Sequence, residues 1–73
     1  MAGSVYKVVE LIGTSTDSWE EAARAAVETA AQSLEDIRIA EVVKLDMRLN
    51  ENKVVEFRTK MMVSFKYHKE LAD

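Results

Sequence analysis

Residues 37–67 of this 73-residue chain read IRIAEVVKLDMRLNENKVVEFRTKMMVSFKY, and their pattern decides the fold. Apolar and polar residues alternate along two runs, about 37–49 and about 54–67, which are separated by the polar residues 50–53. Alternation with a period of two places neighbouring side chains on opposite faces of a sheet, and two such runs joined by a short turn are typical of a β-hairpin. The sequence therefore predicts a long hairpin of strands β2 and β3.

Strict alternation also predicts which residues share a face of the hairpin. In β2 the mainly apolar face is interrupted by one acidic residue and comprises Ile37, Ile39, Glu41, Val43, Leu45, Met47 and Leu49. An acidic residue on such a face is either paired with a cation of a neighbour or marks a strand kink, because buried charges are nearly always paired. Alternatively, Glu41 lines a metal site or polar channel where several copies of the chain converge. The sequence leaves both interpretations of Glu41 open.

Two further elements precede the hairpin. The segment VYKVVELIG at residues 5–13 is rich in β-branched residues and predicts strand β1, about residues 4–13, with mostly apolar residues on both faces. Ser18 and Glu21 have the spacing of a helix N-terminal capping box. The helix predicted from about residue 18 to about residue 34 has an apolar stripe with the helical period: Trp19, Ala22, Ala23, Ala26, Val27, Ala30, Ala31 and Leu34.

The order of elements is therefore β-α-β-β, which predicts a single α+β domain over residues 1–73. A right-handed crossover after β1 places β3 between β1 and β2, so that a three-stranded antiparallel sheet packs on one helix. A strand of about 12 residues extends roughly 40 Å, whereas a helix of about 17 residues extends roughly 26 Å. Because the sheet is longer than its helix and a small domain buries little surface alone, we expect further copies of the chain to cover it.

The composition excludes several classes of function. The chain has no cysteine and a single histidine, His68, so disulfides, thiolate metal sites and catalytic triads are not expected. The net charge is −3, and no aromatic residues are interleaved with the basic ones, which argues against nucleic-acid binding. No apolar run approaches the ~20 residues of a membrane helix. We therefore expect a cytoplasmic protein that is not an enzyme and has no nucleic-acid or membrane partner.

The chain resembles the dodecin family along nearly its whole length. The resemblance is carried by VYKVVELIGTS at residues 5–15, AEV at residues 40–42 and VSFK at residues 63–66. It implies a hollow homododecamer that stores or buffers a flavin (FMN, riboflavin or FAD) without catalysing a reaction. It also implies that ions, such as a divalent cation, bind along symmetry axes in some members.

Two positions depart from the flavin-binding pattern of that family. Ile39 stands where flavin-binding members have the tryptophan of a W-x-E motif, and Arg58 stands where they have a glutamine that hydrogen-bonds the flavin. The resemblance thus implies Ile39 and Arg58 as cofactor-binding positions, although strict alternation puts them on opposite faces unless a β-bulge intervenes. Glu41, which is kept from the motif, and Lys44 are candidates for binding an ion or an anionic ligand. The sequence leaves four interpretations of the function open: binding of a flavin, of an anionic ligand or of a divalent cation, or a purely structural shell.

Overall fold

The computed structural model describes residues 3–67, and its elements follow the predicted order. They are β1 (Tyr6–Ser15), α1 (Trp19–Ala30), β2 (Ile37–Asn50) and β3 (Lys53–Lys66). The strand order in the sheet is β1-β3-β2, and both pairs of neighbours are antiparallel. The predicted α+β fold with β3 as the central strand is therefore confirmed, whereas His68 lies outside the described residues.

The helix begins at its predicted cap and ends earlier than its apolar stripe. The Ser18 hydroxyl accepts a hydrogen bond from the Glu21 backbone N–H at 3.1 Å. The helix ends at Ala30, and residues 31–33 form a turn, although the apolar spacing continues to Leu34. The last helical turn contains no basic residue. Acidic side chains near the negative end of a helix dipole disfavour further helix, and Glu28 and Glu35 flank this end.

The hairpin closes in a two-residue turn. Asn50 pairs with Lys53, and the two residues between them, Glu51 and Asn52, have φ angles of 51° and 66°. Positive φ at both central residues is the feature of a type I′ turn, whose twist matches that of the flanking strands. The turn therefore fixes the register of β2 on β3 at the hairpin tip.

The core lies on the face of the sheet that contacts α1. Its fully buried apolar side chains are those of Ala22, Met61 and Val63. The helix approaches β1 closely because Gly13 has no side chain: a Cβ there would overlap the Ala22 carbonyl oxygen and lie 2.9 Å from the Ala26 Cβ. It lies over β1 and β3 and touches β2 little, so Leu45 remains 50% exposed. The sheet thus extends beyond its helix, as predicted.

Trp19 anchors the start of α1 to the hairpin. Its indole Nε1–H donates to the Asp46 carbonyl oxygen at 2.9 Å, and its ring meets that of Phe57 edge-on with centroids 5.1 Å apart. The buried Thr59 hydroxyl donates to the Trp19 carbonyl oxygen at 2.9 Å. These hydrogen bonds satisfy the hydroxyl of the buried Thr59 and the indole N–H of the half-buried Trp19. Within residues 3–67, no helix has the length and apolar character needed to cross a membrane.

Candidate functional site

A β-bulge in β2 determines which residues form the candidate site. Glu41 is opposite Met62 and Lys44 is opposite Lys60, so positions three residues apart on β2 match positions two apart on β3. Val43 is therefore the extra residue of a bulge. An extra residue exchanges the two faces of a strand from that point onward. The prediction of one uninterrupted alternation along β2 is wrong for this reason.

The bulge brings the predicted site residues to one face. Ile39, Glu41, Lys44 and Arg58 all lie on the sheet face that points away from α1, which we call the open face. It consists of four successive rows across β1, β3 and β2, which are Val8–Ser64–Ile39, Glu10–Met62–Glu41, Ile12–Lys60–Lys44 and Thr14–Arg58–Asp46. Strict alternation placed Ile39 and Arg58 on opposite faces, and the structure corrects this.

Ile39 and Arg58 share the open face but not a single pocket. Ile39 pairs with Ser64, which is six residues from Arg58 on β3, or about 20 Å along the strand. Ile39 is 65% exposed and offers an aliphatic surface, not an aromatic ring. A flavin ring therefore cannot contact both positions in one copy, and the residues of one copy do not form a complete flavin site.

Arg58 is held by an acidic residue that the sequence did not single out as its partner. Its Nε lies 2.8 Å from Asp46 Oδ1, and its Nη2 lies 3.3 Å from Asp46 Oδ2. This hydrogen bond has the largest effect and lowers the pKa of the Asp46 carboxyl. Desolvation opposes it, and the positive charges of Arg58, Lys44 and Lys60 lower the pKa further. The same contact raises the pKa of Arg58. Only the cross-strand register could have revealed the pair, and that register is set by the turn together with a further register shift between Arg48 and Leu49.

The Arg58–Asp46 pair predicts a pH dependence with a defined sign. Because the pKa of folded Asp46 lies below its ordinary value of 3.8, the pair stabilises the fold above that pH and loses its effect as the pH falls further. Both side chains are about two-fifths exposed, so the contribution to stability is small. We expect Arg58→Gln to raise the pKa of Asp46 back toward 3.8, measured by NMR titration of its carboxyl carbon. An unchanged pKa would show that the pair does not form in solution.

Glu41 and Lys44 are exposed on the open face, and their side chains make no ion pair or hydrogen bond with any residue of the described chain. Lys60, in contrast, lies 3.4 Å from a carboxylate oxygen of Glu10. Within residues 3–67, no three acidic or histidine side chains are placed to hold one metal ion. A cation site at Glu41 would therefore need ligands from more than one copy.

Among the described residues, two clefts lie beside α1. The larger, of about 380 Å³, runs between α1 and β1, and its described lining, which includes Leu11, Ala26 and Thr29, has no ionisable group. The smaller, of about 240 Å³, lies beside Trp19 and Leu45. Neither cleft contains any of the four candidate residues, so the open face remains the candidate site.

Comparisons with known proteins agree on one family. The dodecin family model matches residues 5–68. Calcium dodecin of Mycobacterium tuberculosis is 49% identical over 63 residues, which cover 86% of this chain and 89% of that protein. Dodecin of Thermus thermophilus is 36% identical over 64 residues, which cover 88% of this chain and 93% of that protein.

Solved structures show the same fold. The structure of dodecin from Streptomyces coelicolor aligns with a TM-score of 0.87 at 28% identity and covers 93% of this chain and 97% of that one. The structure of calcium dodecin from M. tuberculosis aligns with a TM-score of 0.80 at 48% identity and covers 89% of this chain and 93% of that one. The chain therefore belongs to the dodecin family of small ligand-binding proteins.

Proposed function

We propose that the protein is a non-catalytic homo-oligomer, a homododecamer, that binds a small ligand at the open face. The observation that supports this most directly is the bulge at Val43, which gathers Ile39, Glu41, Lys44 and Arg58 on one exposed surface. The surface combines aliphatic and charged groups, as small-ligand sites do. Membership of the dodecin family supports the same proposal.

The dimensions of the chain support self-association. Its radius of gyration is 15.2 Å, whereas a compact chain of this length has a value of about 11 Å. Of the apolar side chains in residues 3–67, only a few are fully buried, and large ones such as Leu49 and Val8 are more than half exposed. Small domains with so little buried surface usually depend on partners for stability. If further copies of the chain covered the exposed sheet, they would bury the apolar surface that one copy leaves exposed.

A flavin is the first candidate for the ligand. The family resemblance supports it, but Ile39 supplies no ring for stacking. We expect Ile39→Trp to tighten riboflavin binding by roughly 2- to 12-fold. An aromatic pair contributes about 0.5–1.5 kcal/mol in addition to the free energy of burying its apolar surface. Quenching of riboflavin fluorescence measures this, with Ile12→Trp as the matched control on the same face. Equal binding by the wild type and Ile39→Trp would contradict a flavin site at this position.

A divalent cation is the second candidate. Exposed Glu41 has no ion pair within residues 3–67, and a relative with 49% identity is named calcium dodecin. Calcium takes 6–8 oxygen ligands, so Glu41 side chains from several copies would have to converge. We expect calorimetry to detect Ca²⁺ binding that Glu41→Gln abolishes and Glu28→Gln retains. Light scattering on the same samples gives the number of subunits, and a monomeric wild type would contradict the proposed oligomer.

A further inference from the structure

Trp19 contacts the hairpin at the row of the Arg58–Asp46 pair, but from the opposite face of the sheet. Its indole Nε1–H donates to the Asp46 carbonyl oxygen at 2.9 Å. Its backbone carbonyl oxygen accepts a hydrogen bond from the Thr59 hydroxyl at 2.9 Å, and its ring lies edge-on to that of Phe57. Phe57 and Thr59 are the two residues that flank Arg58 on β3. Trp19 therefore holds β2 at Asp46 and β3 on both sides of Arg58.

The row of this pair lies in a short stretch of regular pairing between two irregularities. Register shifts occur on both sides of it, between Val42 and Lys44 and between Arg48 and Leu49. Such shifts disrupt the ladder locally and change the twist of the strands. In addition, β2 is an edge strand, so within the chain it has a strand neighbour on one side only. The contacts of Trp19 therefore add a constraint where the sheet alone constrains the two strands least.

The contact between Arg58 and Asp46 is sensitive to the positions of both strands. It joins Nε to Oδ1 at 2.8 Å and Nη2 to Oδ2 at 3.3 Å. Because both side chains are about two-fifths exposed, the pair gains little from its charges and loses entropy when the side chains are held in one geometry. Supporting groups that fix the backbone keep such an arrangement in place. Nη1 of Arg58 makes no hydrogen bond within residues 3–67 and is the donor left for a ligand.

We propose that Trp19 is a positioning residue for the open face: from the helix side it fixes the Arg58–Asp46 pair, and through that pair it fixes the orientation in which Arg58 Nη1 meets a ligand. The contact of Arg58 with a ligand rests on the proposed function, whereas the position of the pair is measurable without a ligand. The apolar stripe of α1 accounts for the ring of Trp19. The indole N–H gives the residue this second role.

A pH titration of the wild type provides the first test. Trp19 is the only tryptophan of the chain, so its indole N–H gives a single NMR signal. Because the indole and the guanidinium bind the same residue, we expect this signal to shift with the midpoint of the Asp46 carboxyl, below the ordinary pKa of 3.8. The shift should disappear in Asp46→Asn. A signal that stays constant while Asp46 titrates, or that still shifts in Asp46→Asn, would overturn the proposal.

Two substitutions separate the indole N–H from apolar packing. Trp19→Phe keeps an aromatic ring near Phe57 but has no N–H donor, whereas Phe57→Leu keeps the donor and removes the ring contact. We expect Trp19→Phe to move the pKa of Asp46 toward 3.8, although no charged group is altered, and to speed solvent exchange of the Arg58 Nε–H several-fold. Phe57→Leu should leave both quantities near those of the wild type. Equal effects of the two variants, or no effect of Trp19→Phe, would contradict a role of the N–H.

Quenching of riboflavin fluorescence by the same variants tests the contact with a ligand. We expect weaker binding by Trp19→Phe than by Phe57→Leu. Equal binding would contradict a ligand contact of Arg58, and no binding by the wild type would contradict a flavin as the ligand. Since the NMR measurements are made without riboflavin, failure of the positioning role and failure of the proposed function give different results.

Discussion

Replacing Met61 with alanine is expected to destabilise the folded chain by about 2–5 kcal/mol. The side chain is 2% exposed and lies at the middle of the central strand β3, between Leu11 of β1 and Val42 of β2. The loss combines the transfer free energy of the removed atoms with the cost of the cavity that they leave. Because the total stability of a small domain is about 5 kcal/mol or little more, much of the variant is expected to be unfolded.

Urea denaturation followed by circular dichroism measures this effect, and Met47→Ala is the matched control. Met47 lies on the same face of the sheet, but in the part of β2 that α1 leaves uncovered, and its side chain is 45% exposed. Its truncation removes the same atoms from a site with few neighbours. Equal destabilisation of both variants would contradict a core centred beneath α1.

Replacing Gly13 with alanine is expected to cost about 1–3 kcal/mol, although it adds only one methyl group. The new Cβ would overlap the carbonyl oxygen of Ala22, which belongs to the backbone of α1. A backbone atom inside a hydrogen-bonded helix cannot move aside by a change of rotamer, so the whole helix must shift away from β1. We expect a lower midpoint of thermal unfolding and partial exposure of Ala22 and Val63.

Gly3 provides the control for this substitution, because a Cβ added there meets no atom within 4 Å. Gly3→Ala should therefore leave the unfolding midpoint unchanged. A second test is Gly13→Ala combined with Ala26→Gly, which removes the 2.9 Å contact to Ala26 but keeps the overlap with the Ala22 carbonyl oxygen. Full recovery in the double variant would show that the side chain of Ala26, and not the helix backbone, limits the space at Gly13.

The sequence and the structure disagree most informatively in β2. Strict alternation put Ile39 on the face opposite Arg58, and a single extra residue at Val43 reverses that result. A bulge has no sequence signature comparable to the period of a strand, since Val43 is as suitable for a regular strand as Val42 is. Its position follows from pairing with β3, which involves residues far away in the chain.

The Arg58–Asp46 pair was beyond sequence reasoning for the same reason. The two residues are 12 positions apart, and each is one of several charged residues on its strand. Which acid meets which base depends on the turn at Glu51 and Asn52 and on the register shift between Arg48 and Leu49. Register therefore decides the chemistry that is available at the open face.

The sequence by itself determined the order of elements, the central position of β3 and the N-terminal cap of α1. It also determined that the sheet is longer than the helix that covers it. These features depend on short-range periodicity and on chain length, which a single sequence displays directly. Only the tertiary structure decided that Ile39, Glu41, Lys44 and Arg58 share one face and that one chain leaves Ile39 far from Arg58. Such placements depend on pairing between distant segments, where an offset of one residue moves every following side chain to the other face of the sheet.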